Sequence, residues 1–253
     1  MSGKPVVVHY HIFKNAGTSV DAMLQKSFGG RWSPFEGAYA NDVQSSAALG
    51  NFLQARPDIE AVSTHLGRPP LPWPECLPVV FLRHPILRAW SVYEFTRQDA
   101  SQPYSKVAQR QSFAGYIRWA LDGGGNGVVI RNYQVVHLSN ASFRMTDLYQ
   151  TKANSDDLRQ SCDLLAQWGM AGIVERFATS CTLFQAAYGK LVPALNFEPF
   201  WLNRSSAISN TGEQQLTAIR AEIGEGLYNE LVEHNELDMQ LYQFACKLQD
   251  DVP

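Results

Sequence analysis

The sequence predicts an α/β protein: a single three-layer domain over residues 1–253, with a short parallel sheet flanked by helices and a helix-rich C-terminal half. Patterns typical of strands and helices alternate through the first hundred residues, as expected for parallel strands joined by helical connections. Helical spacing of apolar residues dominates the rest of the chain. With 253 residues, 45% of them hydrophobic, the chain can fill one sizeable core.

The predicted strands are short runs rich in β-branched and aromatic residues. The first covers 6–12 and ends at Phe13, and the second and third cover 59–64 and 79–82. Between the last two lies a segment with five prolines, which excludes regular structure there. A further short strand is expected near 172–174.

Helices are predicted where apolar residues recur at helical spacing. The first follows the polar turn after Phe13, whereas the Gly- and aromatic-rich segment 29–40 is predicted to be a loop. Asp42 is expected to cap a helix running to about residue 55, and Pro85 suits the first turn of the next. Later helices are expected at about 112–122, 128–138, 156–168, 176–189, 212–223 and 226–248.

Charge and cysteine usage exclude several classes of protein. A net charge of −3 argues against a nucleic-acid partner, because such proteins carry dense Lys/Arg surfaces. The four cysteines form no C-x-x-C pair, so no metal site is expected. No run of about 18 apolar residues predicts a membrane span. We therefore expect a cytoplasmic protein without stable membrane insertion, unless an N-terminal anchor has been removed.

The polar turn after the first strand has the composition of an anion site. Lys14 supplies a positive charge, Gly17 allows close backbone approach, and the hydroxyls of Thr18 and Ser19 fall in the first helical turn. The lysine precedes the glycine by three positions, whereas the loop of nucleotide triphosphatases has lysine immediately after its second glycine. The segment 11–19, HIFKNAGTS, instead resembles the 5′-phosphosulfate loop of sulfotransferases that use 3′-phosphoadenosine-5′-phosphosulfate (PAPS), typically HIPKTAGTS in their carbohydrate-modifying branch. The resemblance implies cofactor contacts from Lys14, Asn15, Ala16, Gly17, Thr18 and Ser19.

A second motif follows the third strand, in FLRHPILRAWSVY. Arg83, Pro85 and Ser91 match the type and spacing of the family's 3′-phosphate motif, in which Arg83 and Ser91 would hold that phosphate. His84 stands where the family usually has aspartate. Arg204 lies in a segment resembling the loop that closes over the nucleotide, and a solvated loop is the alternative.

The resemblance implies a P-loop-NTPase-like sulfotransferase fold that moves a sulfuryl group from PAPS to a hydroxyl, without a metal, leaving 3′-phosphoadenosine 5′-phosphate (PAP). The acceptor is a glycan, a lipid or a small metabolite. Lys14 would neutralise charge on the leaving phosphate. His65, at the end of the second strand, and Glu36, in the predicted loop, are alternative general bases. The competing functions are a nucleotide-dependent kinase and a non-catalytic PAPS- or PAP-binding module.

Overall fold

A sheet of five parallel strands forms the centre of the molecule. The computed structural model describes residues 4–39, 41–125, 127–144, 151–199 and 211–251. The strand order across the sheet is β2-β3-β1-β4-β5. The strands are β1 (Val6–Tyr10), β2 (Trp32–Pro34), β3 (Ala61–Thr64), β4 (Cys76–Leu82) and β5 (Gly172–Ile173).

Helices surround the sheet and make up most of the chain after β4. None of the described helices has both the length and the apolar character needed to cross a membrane. The helices are α1 (Gly17–Phe28), α2 (Ser46–Ala55), α3 (Pro85–Gln98), α4 (Ser105–Arg110), α5 (Phe113–Leu121), α6 (Gly127–Ile130), α7 (Tyr133–Leu138), α8 (Ser155–Trp168), α9 (Phe177–Tyr188), α10 (Gly212–Ile223), α11 (Glu225–Glu233) and α12 (Glu236–Asp250).

Side chains on both faces of β1 are buried, which gives the three-layer arrangement. Val6, Val8 and Tyr10 face a core built with α2, α7, α8 and α12. Val7 faces the opposite core, built with α1 and α9. A third apolar cluster joins α3 to α5, α10 and α11. Because both faces are covered, the strands consist of near-continuous apolar runs.

The strand order creates a crevice at the carboxyl ends of β1 and β4. The chain leaves β1 through α1 toward β2 on one side of the sheet, and it leaves β4 toward β5 on the other. In open parallel sheets, ligands bind where adjacent strands connect in opposite directions. This crevice is therefore the expected ligand position in this fold.

The described structure confirms the predicted strands and most predicted helices, with four corrections in the first half of the chain. Strand β4 begins at Cys76, so it includes the last three residues of the five-proline segment, which was expected to exclude regular structure. Part of the predicted loop 29–40 forms β2, a short edge strand paired with β3. Helix α2 is capped by Ser45, whose hydroxyl accepts from the Ala48 amide at 3.2 Å. Asp42 does not cap it, because its carboxylate accepts from the Ala38 amide in a tight turn. Helix α4 had no clear apolar pattern and was not predicted.

Two predicted long helices are each broken at an asparagine. Residues 128–138 separate into α6 and α7 around Asn132, which has a φ of 45°. Residues 226–248 separate into α11 and α12 at Asn235. The Asn132 amide donates to the Asn235 side chain at 3.1 Å, and the Asn132 side chain accepts from the Asp238 amide at 3.0 Å. These bonds join the N-termini of α7 and α12. The two N-termini exist only because each long helix is broken at its asparagine.

Candidate functional site

The loop between β1 and α1 lies at the crevice and has a strained backbone. Lys14 and Ala16 have φ angles of 66° and 62°, the left-handed region that costs most non-glycine residues about 1–2 kcal/mol. Ala16 is the N-cap of α1 and has no side chain that can cap it. The Ser19 amide already donates to the Ala16 carbonyl at 3.0 Å. The Gly17 and Thr18 amides, which have no such bond among the described residues, are therefore the donors left for another acceptor, such as a bound anion.

The ammonium group of Lys14 is half-buried beside this loop. It lies 4.0 Å from the centroid of the Phe95 ring. Burial, with the nearby positive charge of Arg83, lowers the pKa of Lys14 to about 8. Within the described ranges it forms no ion pair with a carboxylate, so its charge is available to an anionic ligand.

Arg83 follows β4 and brings the second motif against the first. Its Nη1 donates to the Lys14 carbonyl at 3.1 Å, and its Nε lies 3.9 Å from Glu175 Oε1. Within the described residues this Nε has no hydrogen-bond partner. Burial lowers the pKa of Arg83, opposed by the charge of Glu175. The two cationic motifs, 69 residues apart in sequence, thus meet at one point of the sheet.

A buried glutamine that the sequence did not indicate holds these two motifs together. Gln134 Oε1 accepts from the Arg83 amide at 2.9 Å and from Asn15 Nδ2 at 2.8 Å. Gln134 Nε2 donates to the Arg83 carbonyl at 3.0 Å and to Asp238 Oδ2 at 3.3 Å. The Gln134 side chain therefore bonds the Arg83 backbone as a neighbouring β-strand would. It also fixes the loop that contains Lys14 through its bond to Asn15.

Two loop residues expected to contact the cofactor also have structural roles. The Asn15 side chain points to β4, where its Nδ2 also donates to the Phe81 carbonyl at 2.8 Å. At Gly17, an added Cβ would lie 2.0 Å from the His11 ring, so the glycine makes room for that ring. The Thr18 side chain is exposed beside the crevice, whereas Ser19 is buried.

Helix α3 carries the rest of the second motif. Ser91 is half-buried and lies one turn before Phe95, on whose ring the Lys14 ammonium rests. His84 caps the helix, with Nδ1 accepting from the Ile86 amide at 3.3 Å. Burial and the charge of Arg83 lower the pKa of His84 to about 4, so the ring is a neutral acceptor. Arg204 lies outside the described residues.

His65 and Glu36, expected as alternatives, form one hydrogen-bonded pair. Glu36 Oε1 accepts from the His65 ring Nδ1 and from its backbone amide, both at 2.8 Å. Glu36 Oε2 accepts from the Leu66 amide at 3.2 Å. Because a carboxylate oxygen only accepts, Nδ1 carries a hydrogen, and in the neutral form of the ring Nε2 has the lone pair. The His65 side chain is 49% exposed, so this lone pair can reach a ligand.

A row of imidazoles extends from His65 into the protein. The His11 ring lies 3.8 Å from the His65 ring, and the His9 ring stacks on His11 at 5.2 Å, measured between centroids. Asp21, on α1, accepts from His9 Nδ1 and His11 Nδ1, each at 2.8 Å. His9, His11 and Asp21 could together surround a cation, since their potential ligand atoms lie within 4.8 Å of one another. The 2.8 Å contacts fit hydrogen bonds and are short for two ligands of one ion.

Comparison with known proteins gives a relative over nearly the whole chain. The sequence matches no model of a protein family. It is 27% identical over 246 residues to an uncharacterized protein of Archaeoglobus fulgidus, and the alignment covers 94% of each chain.

Proposed function

We propose that the chain is a PAPS-dependent sulfotransferase with a P-loop-NTPase-like sulfotransferase fold. The observation that carries the proposal is the bond from Arg83 Nη1 to the Lys14 carbonyl, at 3.1 Å, in the crevice between β1 and β4. It joins two motifs whose residue types match the phosphosulfate and 3′-phosphate motifs of that family. A Lys14 ammonium without a carboxylate partner among the described residues favours an anionic ligand.

In this proposal Lys14 and Arg83 bind different phosphate groups of the nucleotide. Lys14 and the free amides of α1 lie where the 5′-phosphosulfate would bind, and they would stabilise charge that grows on the leaving phosphate. Arg83 offers a planar fork of donors to the 3′-phosphate, with the Ser91 hydroxyl on the adjacent helix. Recognition of that phosphate would separate PAPS from ordinary adenine nucleotides.

The general base in this proposal is His65, and Glu36 orients it. The acceptor hydroxyl oxygen bonds to sulfur while the bond from sulfur to the bridging phosphate oxygen breaks. The hydroxyl proton passes to His65 Nε2, and PAP leaves with the bond electrons. Glu36 already accepts from three donors, which suits a group that selects the tautomer of the imidazole rather than a base.

Calorimetric titration with PAP, without metal, tests the cofactor. We expect PAP to bind more tightly than AMP, and we expect no binding of ATP with Mg²⁺. Lys14→Ala and Arg83→Ala should each weaken PAP binding by about 1.5–3 kcal/mol, roughly 10- to 150-fold. Lys26→Ala and Arg56→Ala, at exposed positions away from the crevice, are the matched controls.

The outcomes separate the three candidate functions. Binding of ATP with Mg²⁺ but not of PAP would replace the proposal with a kinase. PAP binding with no transfer from labelled PAPS to a panel of glycan, lipid and small-molecule hydroxyls would favour a binding module. Unchanged PAP affinity in both Lys14→Ala and Arg83→Ala would overturn the assignment of the two motifs.

A further inference from the structure

Asp21 holds two buried imidazoles in one tautomer. Its two carboxylate oxygens accept separately, Oδ1 from His9 Nδ1 and Oδ2 from His11 Nδ1. The hydrogens must therefore lie on both Nδ1 atoms. Hydrogen bonds from these imidazoles hold the pKa of Asp21 well below its usual range, against the opposing effect of burial. The carboxylate therefore remains ionised and accepts from both rings.

The two histidines have the same hydrogen-bond partner but different neighbours. His11 packs between His65, 3.8 Å away, and Gly17, where a Cβ would lie 2.0 Å from the ring. His9 lies two residues before His11 and is more deeply buried, and its Nδ1 also lies 3.2 Å from the Ser63 hydroxyl. Only His11 contacts the ring of the exposed histidine. The pair offers a matched comparison within one cluster.

Contacts on two sides define the orientation of the His65 ring. Glu36 bonds its Nδ1 edge, and His11 covers one face. The hydrogen bond alone leaves the ring free to tilt about it, because terminal torsions of histidine are broad. The His11 ring, which is itself held by Asp21, removes that freedom by packing against the His65 ring. Burial lowers the pKa of His11 to about 4, so His11 stays uncharged near neutral pH. It therefore does not repel the positive charge that His65 gains when it accepts a proton.

We propose that Asp21 and His11 are positioning residues for His65: Asp21 fixes the His11 ring, and that ring holds His65 with Nδ1 on Glu36 and Nε2 open to the acceptor. This inference rests on the proposed role of His65 as base. Neither positioning residue touches the reacting atoms. Their effect is the orientation of one proton-accepting nitrogen, which a transfer reaction requires to within a fraction of an ångström.

The decisive experiment compares His11→Asn with His9→Asn in the full chain. Each replaces an imidazole with a side chain whose amide can still donate to Asp21, but only His11→Asn removes the ring against His65. Two-bond ¹⁵N–¹H spectra of the histidine rings report the tautomer without any substrate. We expect His65 to be in the Nδ1–H form in the wild type and in His9→Asn. In His11→Asn the His65 ring loses the support of its neighbour and can turn away from Glu36, so we expect a mixture of tautomers.

Kinetics provide the second readout if transfer from PAPS is found. His11→Asn should lower kcat roughly tenfold or more, but by no more than the roughly 10²- to 10⁴-fold that a general base contributes, while KM for PAPS changes less than about twofold. His9→Asn should keep kcat within about threefold of the wild type. Asp21→Asn places one NH₂ donor against an imidazole, so one of the two buried rings should switch to the Nε2–H form.

Three outcomes would overturn the inference. The first is a His65 tautomer that is unchanged in His11→Asn, and the second is equal effects in both asparagine variants, which would indicate general packing. The third is stoichiometric Zn²⁺ binding that both variants abolish, since the cluster would then be a metal site. The spectra need no substrate, so they decide the positioning role even if the chain transfers no sulfuryl group.

Discussion

Glu36 accepts two hydrogen bonds from His65, one from the ring Nδ1 and one from the backbone amide, each 2.8 Å long. While the ring stays against this carboxylate, the bond selects the tautomer with the hydrogen on Nδ1. The two side chains, 29 residues apart in the sequence, therefore form one hydrogen-bonded unit, and in the proposed function they act together.

A double-mutant cycle tests this unit. We expect His65→Ala to lower kcat by 10²- to 10⁴-fold, roughly the contribution of a general base. Glu36→Gln should lower it about 10- to 100-fold, and the double variant should be no worse than His65→Ala alone. Calorimetry should give the same PAP affinity for all three variants within about twofold. Additive losses in kcat would show that the two residues act independently.

The affinity for PAP should depend on the charge of Lys14. Burial and the charge of Arg83 lower the pKa of Lys14 to about 8, so the free protein loses this proton as the pH rises through that value. Affinity should therefore be full below about pH 7 and fall toward pH 9.5, by at most tenfold for each pH unit. Titrations at several pH values check this. Lys14→Arg, which stays charged, should show a flatter dependence, and an equal slope in both proteins would contradict the assignment.

Gln134 should support both stability and binding. Gln134→Leu leaves the Arg83 amide and carbonyl and the Asn15 amide group without this partner. We expect a loss of about 3 kcal/mol in the free energy of unfolding, because each buried unpaired group costs about 1–3 kcal/mol. Urea denaturation gives this value, and calorimetry should show weaker PAP binding. Gln98→Leu, on the exposed side of α3, is the control and should change neither.

Acid should destabilise the fold through His11. Burial lowers its pKa to about 4, opposed by its hydrogen bond to Asp21, whereas the ordinary value is 6.5. Between these values the unfolded chain binds a proton that the folded chain excludes, so stability falls as the pH falls. At pH 4.5 this costs about 2–3 kcal/mol relative to pH 7. Urea midpoints at the two pH values should differ less in His11→Asn, and an unchanged difference would exclude His11 as a cause.

Gly17→Ala should displace the His11 ring. The new Cβ would lie 2.0 Å from ring atoms, and overpacking of this kind typically costs about 1–3 kcal/mol. Thermal unfolding should show the loss, and the ring spectra should show altered His11 and His65 signals. Gly226→Ala, where an added Cβ meets no atom within 4 Å, is the matched control. An unperturbed His65 signal in Gly17→Ala would indicate that the row of imidazoles can rearrange freely.

The sequence by itself determined the α/β class, four of the five strands and most of the helices in their order, and the types of residue placed after β1 and β4. These features depend on apolar periodicity and on residues adjacent in the chain, which local patterns contain. The short edge strand β2 was missed because its three residues carry too little periodic signal. The breaks at Asn132 and Asn235 were missed because helical spacing continues across them, while the bonds that favour the breaks come from other helices.

Only the tertiary structure decided which side chains work together. The pairing of His65 with Glu36, the contacts of Gln134 with Asn15 and Arg83, and the bonds of Asp21 to His9 and His11 all join different elements of the fold. The physical reason is that a hydrogen bond requires two groups within about 3 Å, and packing of the sheet and helices sets that distance. Residue type shows what a side chain can donate or accept, and the fold selects its partner.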